Sequence, residues 1–197
     1  MGIGANTKER ILEAGLKVFA ENGYEGARME KIASLVGINK ASLYFHFKSK
    51  EELFQELFIS IIKKYSFALK NIVIETKSLP TKQRLISIYE KYLEYNRTNQ
   101  LEMDFWNGVY YYPPLSMKEE VLNQTNDTKR QFLDDLTAVF EEAVQNNVIR
   151  PADPSVIAKT YYYLLTCIDL SSDILSKEEG LNDMKQSFEL IWDGLTK

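Results

Sequence analysis

Five prolines are all that interrupt this chain of 197 residues, and they stand at Pro80, Pro113, Pro114, Pro151 and Pro154. Proline lacks a backbone N–H and clashes with the preceding turn, so each marks a break or a helix start. Between them no stretch alternates with the period of two that a half-buried strand requires. Apolar residues recur at three and four instead. The chain is therefore expected to be all-α, with about nine helices.

The first helix is placed over Thr7–Asn22, with Ile11, Gly15, Val18 and Phe19 on one face. Asn6 and Glu9 have capping-box spacing, and Asn22-Gly23 reads as a helix stop. A short second helix fits Arg28–Val36, with Ile32, Ala33 and Val36 inward. Gly37 allows a tight turn before a third short helix, Asn39 to Phe47. Ser49-Lys-Glu-Glu52 is a capping box that opens a fourth. Longer helices follow near Thr81–Asn99, Leu101–Tyr112, Met117–Asn147, Pro154–Asp173 and Gly180–Thr196.

Composition removes several classes of function. Cys167 is the one cysteine and His46 the one histidine, so no intrachain disulfide and no cysteine zinc cage are expected, and a serine–histidine–aspartate triad is disfavoured. No metal or cofactor is expected. No glycine-rich phosphate loop, paired-histidine motif or Gly-x-Ser-x-Gly elbow is found, which argues against an enzyme. No apolar run approaches the roughly 20 residues of a membrane span. The opening MGIGANTKER lacks the apolar segment of a signal peptide. A cytoplasmic protein with no membrane partner is the default expectation.

Charge is uneven. The net charge is −4, yet residues 1–50 sum to +3 and the remainder to −7. From Gly37 to Lys50 there are three lysines and no carboxylate. A polyanion responds to the local field at the contact face rather than to the total charge. By itself +3 over fifty residues is also ordinary variation, and charge alone leaves both readings open.

The third helix can be tested for its faces. At 100° per residue Leu43 and Phe47 share one side, which should be buried. Ala41, Ser42 and Phe45 then point away, Tyr44 lies to one side, and Lys40 and His46 flank the buried stripe. Such an outward face suits a major groove, where serine bonds base edges and alanine or phenylalanine meets a thymine methyl. Lys40 and Lys50 both fall in the first turn of a helix, where the dipole disfavours a cation. A phosphate would offset that; so would extension of the side chains into water.

Two short helices joined by a glycine turn, with another packed across them, are a helix-turn-helix. The run Gly23-Tyr24, Ile32-Ala33 and then Gly37-Ile-Asn-Lys-Ala-Ser-Leu-Tyr-Phe-His-Phe-Lys-Ser-Lys-Glu-Glu-Leu-Phe54 resembles the tetracycline-repressor (TetR) family of bacterial transcription factors. The resemblance covers about residues 7–58. It implies a helix-turn-helix DNA-binding domain over 1–50 and a larger helical ligand-binding and dimerisation domain over 51–197. It also implies a homodimer on double-stranded DNA with a palindromic operator. Lys40, Ala41, Ser42, Tyr44, Phe45 and His46 would line the groove or its walls. Lys50 would meet a phosphate, and Lys48 and Arg28 would add contacts. Relatives often carry Thr or Ser before the second helix; here Ala27-Arg28-Met29-Glu30 stands instead, and Ala27 cannot cap. Glu30 would be repelled by phosphate unless it accepts from a cytosine or turns away to a neighbouring lysine.

In the body, Met184, Phe188, Ile191 and Trp192 form a stripe, as do Tyr161, Leu164 and Ile168. The resemblance implies a dimer interface there; periodicity alone fits the subunit's own core equally well. Aromatic residues crowd the same body. Tyr92, Tyr95, Phe105, Trp106, Tyr110 and Tyr162, with Thr166 as a polar handle, are the expected lining of a small-molecule pocket. Asp104, Asn107 and Asp169 are further polar candidates, and rings beside carboxylates favour a cationic aromatic or hydrophobic ligand. Core packing is the competing role for all of them.

The function expected is a ligand-responsive repressor. The competing expectations are an architectural or division-related DNA-binding protein without an inducer, and a small-molecule-binding protein whose head no longer binds DNA.

Overall fold

A computed structural model describes residues 3–170 and 177–196. Among the described residues there are nine α-helices and no strand: α1 (Ile3–Gly26), α2 (Met29–Val36), α3 (Lys40–His46), α4 (Lys50–Glu75), α5 (Thr81–Thr98), α6 (Gln100–Tyr111), α7 (Lys118–Gln145), α8 (Pro154–Leu170) and α9 (Lys177–Thr196). A 3-10 turn over Leu115–Met117 precedes α7. The all-α expectation holds.

Two local expectations change. Asn6 lies inside α1 rather than at its start, so it is no cap. At Gly23 the chain kinks instead of stopping. Its φ of 65° and ψ of 177° lie outside the helical region, which glycine enters without steric cost, and helical hydrogen bonding resumes to Gly26.

Packing divides the chain into two compact units. One unit comprises the chain up to Tyr65 together with Thr98–Asp127; the other comprises Ser66–Arg97 and Thr128–Lys197. The first has a core of Ile11, Val18, Phe19, Ile32, Leu43, Phe47, Leu53, Phe54 and Phe105, all buried. It includes α6, so the three N-terminal helices do not close their core alone. Gly15 lets α1 approach α4 closely: a Cβ there would stand 3.2 Å from Leu57 Cδ1 and 3.3 Å from Leu53 Cδ2.

The second unit buries Leu85, Ile88, Tyr89, Leu136, Phe140, Leu165, Met184 and Phe188. Hydrogen bonds and an ion pair tie its elements together. The Tyr161 hydroxyl donates to the Leu85 carbonyl, and complete burial pushes that hydroxyl's pKa well above 10. Arg84 reaches Glu142 at 3.0 Å. The Arg150 N–H donates to the Leu195 carbonyl at 2.7 Å.

The stripe on α8 and α9 expected at a dimer interface turns inward. Tyr161, Met184 and Phe188 are 2%, 0% and 1% exposed in the single chain, and Trp192 is buried as well. Tyr161 and Phe188 meet edge to face, 6.1 Å apart. Leu164 and Ile191 are half-buried; the side chain of Ile168 lies outside the described residues. Periodicity identified residues that share a face, but the apolar face was needed by the subunit's own core.

Candidate nucleic-acid interface

The reading helix is placed by backbone chemistry on both sides. Gly37 closes α2 in the left-handed conformation (φ 75°, ψ 31°). Its N–H donates to the Ser34 carbonyl at 3.1 Å, and Ile38 N–H to Ala33 at 3.0 Å, which satisfies carbonyls the helix end leaves open. Asn39 then caps α3: its Oδ1 accepts the Ser42 N–H at 2.8 Å. After α3, Ser49 Oγ accepts the Glu52 N–H at 3.0 Å, as a capping box requires. The Glu52 carboxylate in turn accepts the Lys48 N–H. The turns entering and leaving α3 are thus both fixed.

α3 is anchored by Leu43 and the adjoining Phe47, each 0% exposed. Phe45 stands 76% exposed on the other side. Lys40 and Ala41 are exposed beside it, with Ser42, Tyr44 and His46 half-buried. The Phe45 and His46 rings meet edge to face at 5.5 Å. Lys48 lies 5.7 Å from the Phe45 ring centre and donates to the Phe45 carbonyl at 3.3 Å. Arg28 is exposed at the N-cap of α2, where its side chain makes no capping bond.

The two first-turn lysines have partners inside the protein. Lys40 pairs with Glu30 across from α2 and lies 5.7 Å from the Tyr44 ring centre. That hydrogen bond holds the Glu30 carboxyl below its ordinary pKa and the Lys40 ammonium above its own. Glu30 therefore turns to a neighbouring lysine. Lys50 donates to the carbonyls of Tyr24 (2.7 Å) and Ala27 (3.4 Å), and its ammonium sits 4.3 Å from the Tyr24 ring centre. These carbonyls, at the end of α1, offset the unfavourable dipole at the start of α4. Partners within the protein are thus a third way, beside a phosphate or water, of offsetting the dipole at these two lysines.

Sequence reasoning missed three supports. Arg10 donates from Nη2 to the Val36 carbonyl, tying α1 to the end of α2. Lys8 lies 5.2 Å from the Phe47 ring centre and pairs with Glu56 at 2.8 Å. Tyr24 receives Lys50. All join residues far apart in sequence, which no local pattern reports.

The seven residues expected to line a pocket fall in both units. Tyr92, Tyr95, Tyr162 and Thr166 belong to the second unit, where Tyr92 is core and the Thr166 hydroxyl is bonded back to the Tyr162 carbonyl. Phe105, Trp106 and Tyr110 belong to the first. Trp106 stacks on Phe58 at 6.1 Å, and Tyr110 is exposed. The side chain of Asp169 lies outside the described residues.

Residues 11–57 match the sequence model of "Bacterial regulatory proteins, tetR family". The chain is 27% identical over 151 residues to the uncharacterized HTH-type transcriptional regulator YhgD of Bacillus subtilis, covering 77% of this chain and 76% of that one. The chain belongs to the TetR family. Over 49 residues, 25% of this chain and 26% of the other, it is 41% identical to IcaR of Staphylococcus aureus, the HTH-type negative transcriptional regulator of the biofilm operon icaADBC. The fold also matches the crystal structure of AibR in complex with isovaleryl coenzyme A and operator DNA, with a TM-score of 0.68, 21% identity, and coverage of 90% of this chain and 95% of that one. This TetR-family chain is thus a DNA-binding transcriptional regulator with a helix-turn-helix, and its relatives are regulators rather than enzymes. No helix among the described residues is long and apolar enough to cross a membrane.

The Glu30–Lys40 pair gives a first prediction. Glu30→Gln removes a carboxylate beside α3 and releases Lys40. Affinity for a random-sequence duplex should rise about threefold to tenfold at low salt, as expected when a like charge leaves the contact face. Fluorescence anisotropy measures it. A fall in affinity would instead make Glu30 a positioning group for Lys40.

Proposed function

We propose that the protein is a cytoplasmic, ligand-responsive repressor that binds a palindromic operator as a homodimer. The observation that carries this reading is the outward face of α3: Phe45 stands 76% exposed, opposite buried anchors at Leu43 and Phe47. A single exposed apolar ring is ordinary on a protein surface; what supports the reading is its position on the outward face of the second helix of a helix-turn-helix, where it can meet a thymine methyl. Ala41, Ser42 and Phe45 address base edges in the major groove, and His46 lines its wall. Lys40, Tyr44, Lys48, Lys50 and Arg28 supply phosphate contacts. The name of IcaR, a negative regulator, supports repression, and the AibR complex supports joint use of operator DNA and a small molecule.

Two heads must meet half-sites about 34–36 Å apart, or a multiple of that spacing. The dimer face lies on the outward sides of α8 and α9. Val156, Tyr163 and Leu190 are exposed there at 56%, 53% and 78%. Val156 and Tyr163 are seven residues apart and so share a helix face. Leu164 and Ile191, half-buried, border it. Ligand binding then favours a conformer whose heads no longer fit the operator.

The test is binding of purified protein to duplexes from its own upstream region at about 50 mM salt, where phosphate contacts count most. Tight binding to a palindromic fragment supports the reading, and absence of any such fragment ends it. Occupancy at many scattered genomic sites, with no response to a small molecule, would favour the architectural alternative.

A further inference from the structure

Two adjacent helices of the second unit carry matching stripes of opposite charge. The exposed face of α4 there shows Phe67, Lys70 and Ile74. Lys77 continues it in the turn beyond, where its N–H bonds the Ile74 carbonyl at 3.1 Å. Phe67 and Ile74 are 68% and 56% exposed. On α7 the exposed face shows Gln131, Asp134, Ala138 and Glu141. Both sets step by three, four and three residues, the spacing of one side of a helix. Position for position, each lysine matches a carboxylate, and Ile74 matches the small Ala138.

These charges are not used by the subunit itself. Lys70, Lys77, Asp134 and Glu141 form no ion pair among the described residues. Lys70 acts on Asp135 of α7 only through its field, opposing the upward shift that burial gives that carboxyl. Of the neighbouring carboxylates, Glu75 is taken by Lys91 at 2.7 Å and Glu142 by Arg84 at 3.0 Å. Single exposed apolar side chains are ordinary. Phe67 and Ile74 differ in alternating with unpaired lysines along one face.

α4 and α7 run side by side in the same direction. Ser66 Oγ donates to Gln131 Oε1 at 3.1 Å, and four residues further along each helix Lys70 acts on Asp135. A two-fold axis along that direction sets α4 of one copy against α7 of another, parallel, and does so twice. Lys70 then comes level with Asp134, and Lys77 with Glu141. Setting α4 against α4, or α7 against α7, would oppose like charges.

We propose that the α4–α7 face is a second self-association surface, at which Lys70 and Lys77 of one copy meet Asp134 and Glu141 of another in an isologous contact. Together with the α8–α9 contact it joins dimers into dimers of dimers; that step rests on the homodimer reading above, whereas the pairing of α4 with α7 does not. Exposed ion pairs are weak and screened by salt, so the association depends on ionic strength.

In sedimentation of the full chain, the wild type should be a dimer at about 500 mM salt, where screening is nearly complete, and grow to dimers of dimers at about 50 mM. Lys70→Glu with Lys77→Glu, and separately Asp134→Lys with Glu141→Lys, should each weaken the low-salt association at least tenfold with unchanged thermal midpoints. Mixing the two double variants should restore it, because the reversed α4 of the first meets the reversed α7 of the second, and the native stripes meet each other. A wild type whose size is the same at both salts, association that survives either reversal, or a mixture that stays dissociated would each overturn the surface. Wild-type binding to vesicles of equal phosphatidylglycerol and phosphatidylcholine, without self-association, would give the α4 stripe to a membrane surface and overturn it as well. Leu190→Asp separates the two contacts: monomeric at about 500 mM salt, it should pair at about 50 mM. A wild type that is monomeric at the higher salt and paired at the lower would count against the homodimer reading and leave the α4–α7 face standing.

Discussion

Phe188→Ala is expected to lower the unfolding free energy by about 3–5 kcal/mol, the range for truncating a fully buried aromatic. The side chain is 1% exposed, meets Tyr161 edge to face and lies 5.9 Å from the Trp192 ring. The substitution removes a ring from a packed interior that collapses only in part. Urea unfolding at fixed protomer concentration measures the loss. Leu190 is the contrast. At 78% exposed it contributes little to the subunit's core, so Leu190→Asp should leave the monomer folded while sedimentation shows the dimer dissociating. If Phe188→Ala were neutral in stability yet split the dimer, the inward placement of the α9 stripe would be wrong.

Phe45→Glu is expected to reduce operator affinity more than a hundredfold without unfolding the head. Surface substitutions away from special features change stability by about 0.5 kcal/mol or less, and Phe45 makes its ring contacts with His46 and Lys48 at the surface. On DNA the same position would carry a carboxylate into the centre of the interface. Like-charge juxtaposition there costs several kcal/mol. Matching circular dichroism melts together with lost anisotropy signal would establish the effect. Retained binding would show that another surface meets the duplex.

The head was legible in the sequence because its determinants are local. Gly37, the Asn39 cap, the Ser49 capping box and the 100° spacing of Leu43 and Phe47 each act within a few residues. The structure bears out that arrangement. What was not legible is the destination of long side chains. Lys50 sits at a helix start where the dipole disfavours it, and the carbonyls that offset this lie 23 and 26 residues earlier. Glu30 finds Lys40 ten residues away, across a turn. The α9 stripe was legible as a stripe only, because periodicity groups residues on a face without saying what covers it. Aromatic density has the same limit: Tyr92 is core and Tyr110 is exposed, and a count of rings does not say which of them share a wall.

The salt dependence of operator binding tests the α3 surface most directly. Each phosphate contact contributes a slope of about −0.9 in log K against log salt on duplex DNA. The wild type should show a steep slope, and Lys40→Ala with Lys48→Ala should reduce its magnitude by about 1.8, with weaker binding to every sequence. An unchanged slope in the folded double variant would contradict the assignment of α3 as the helix that meets DNA.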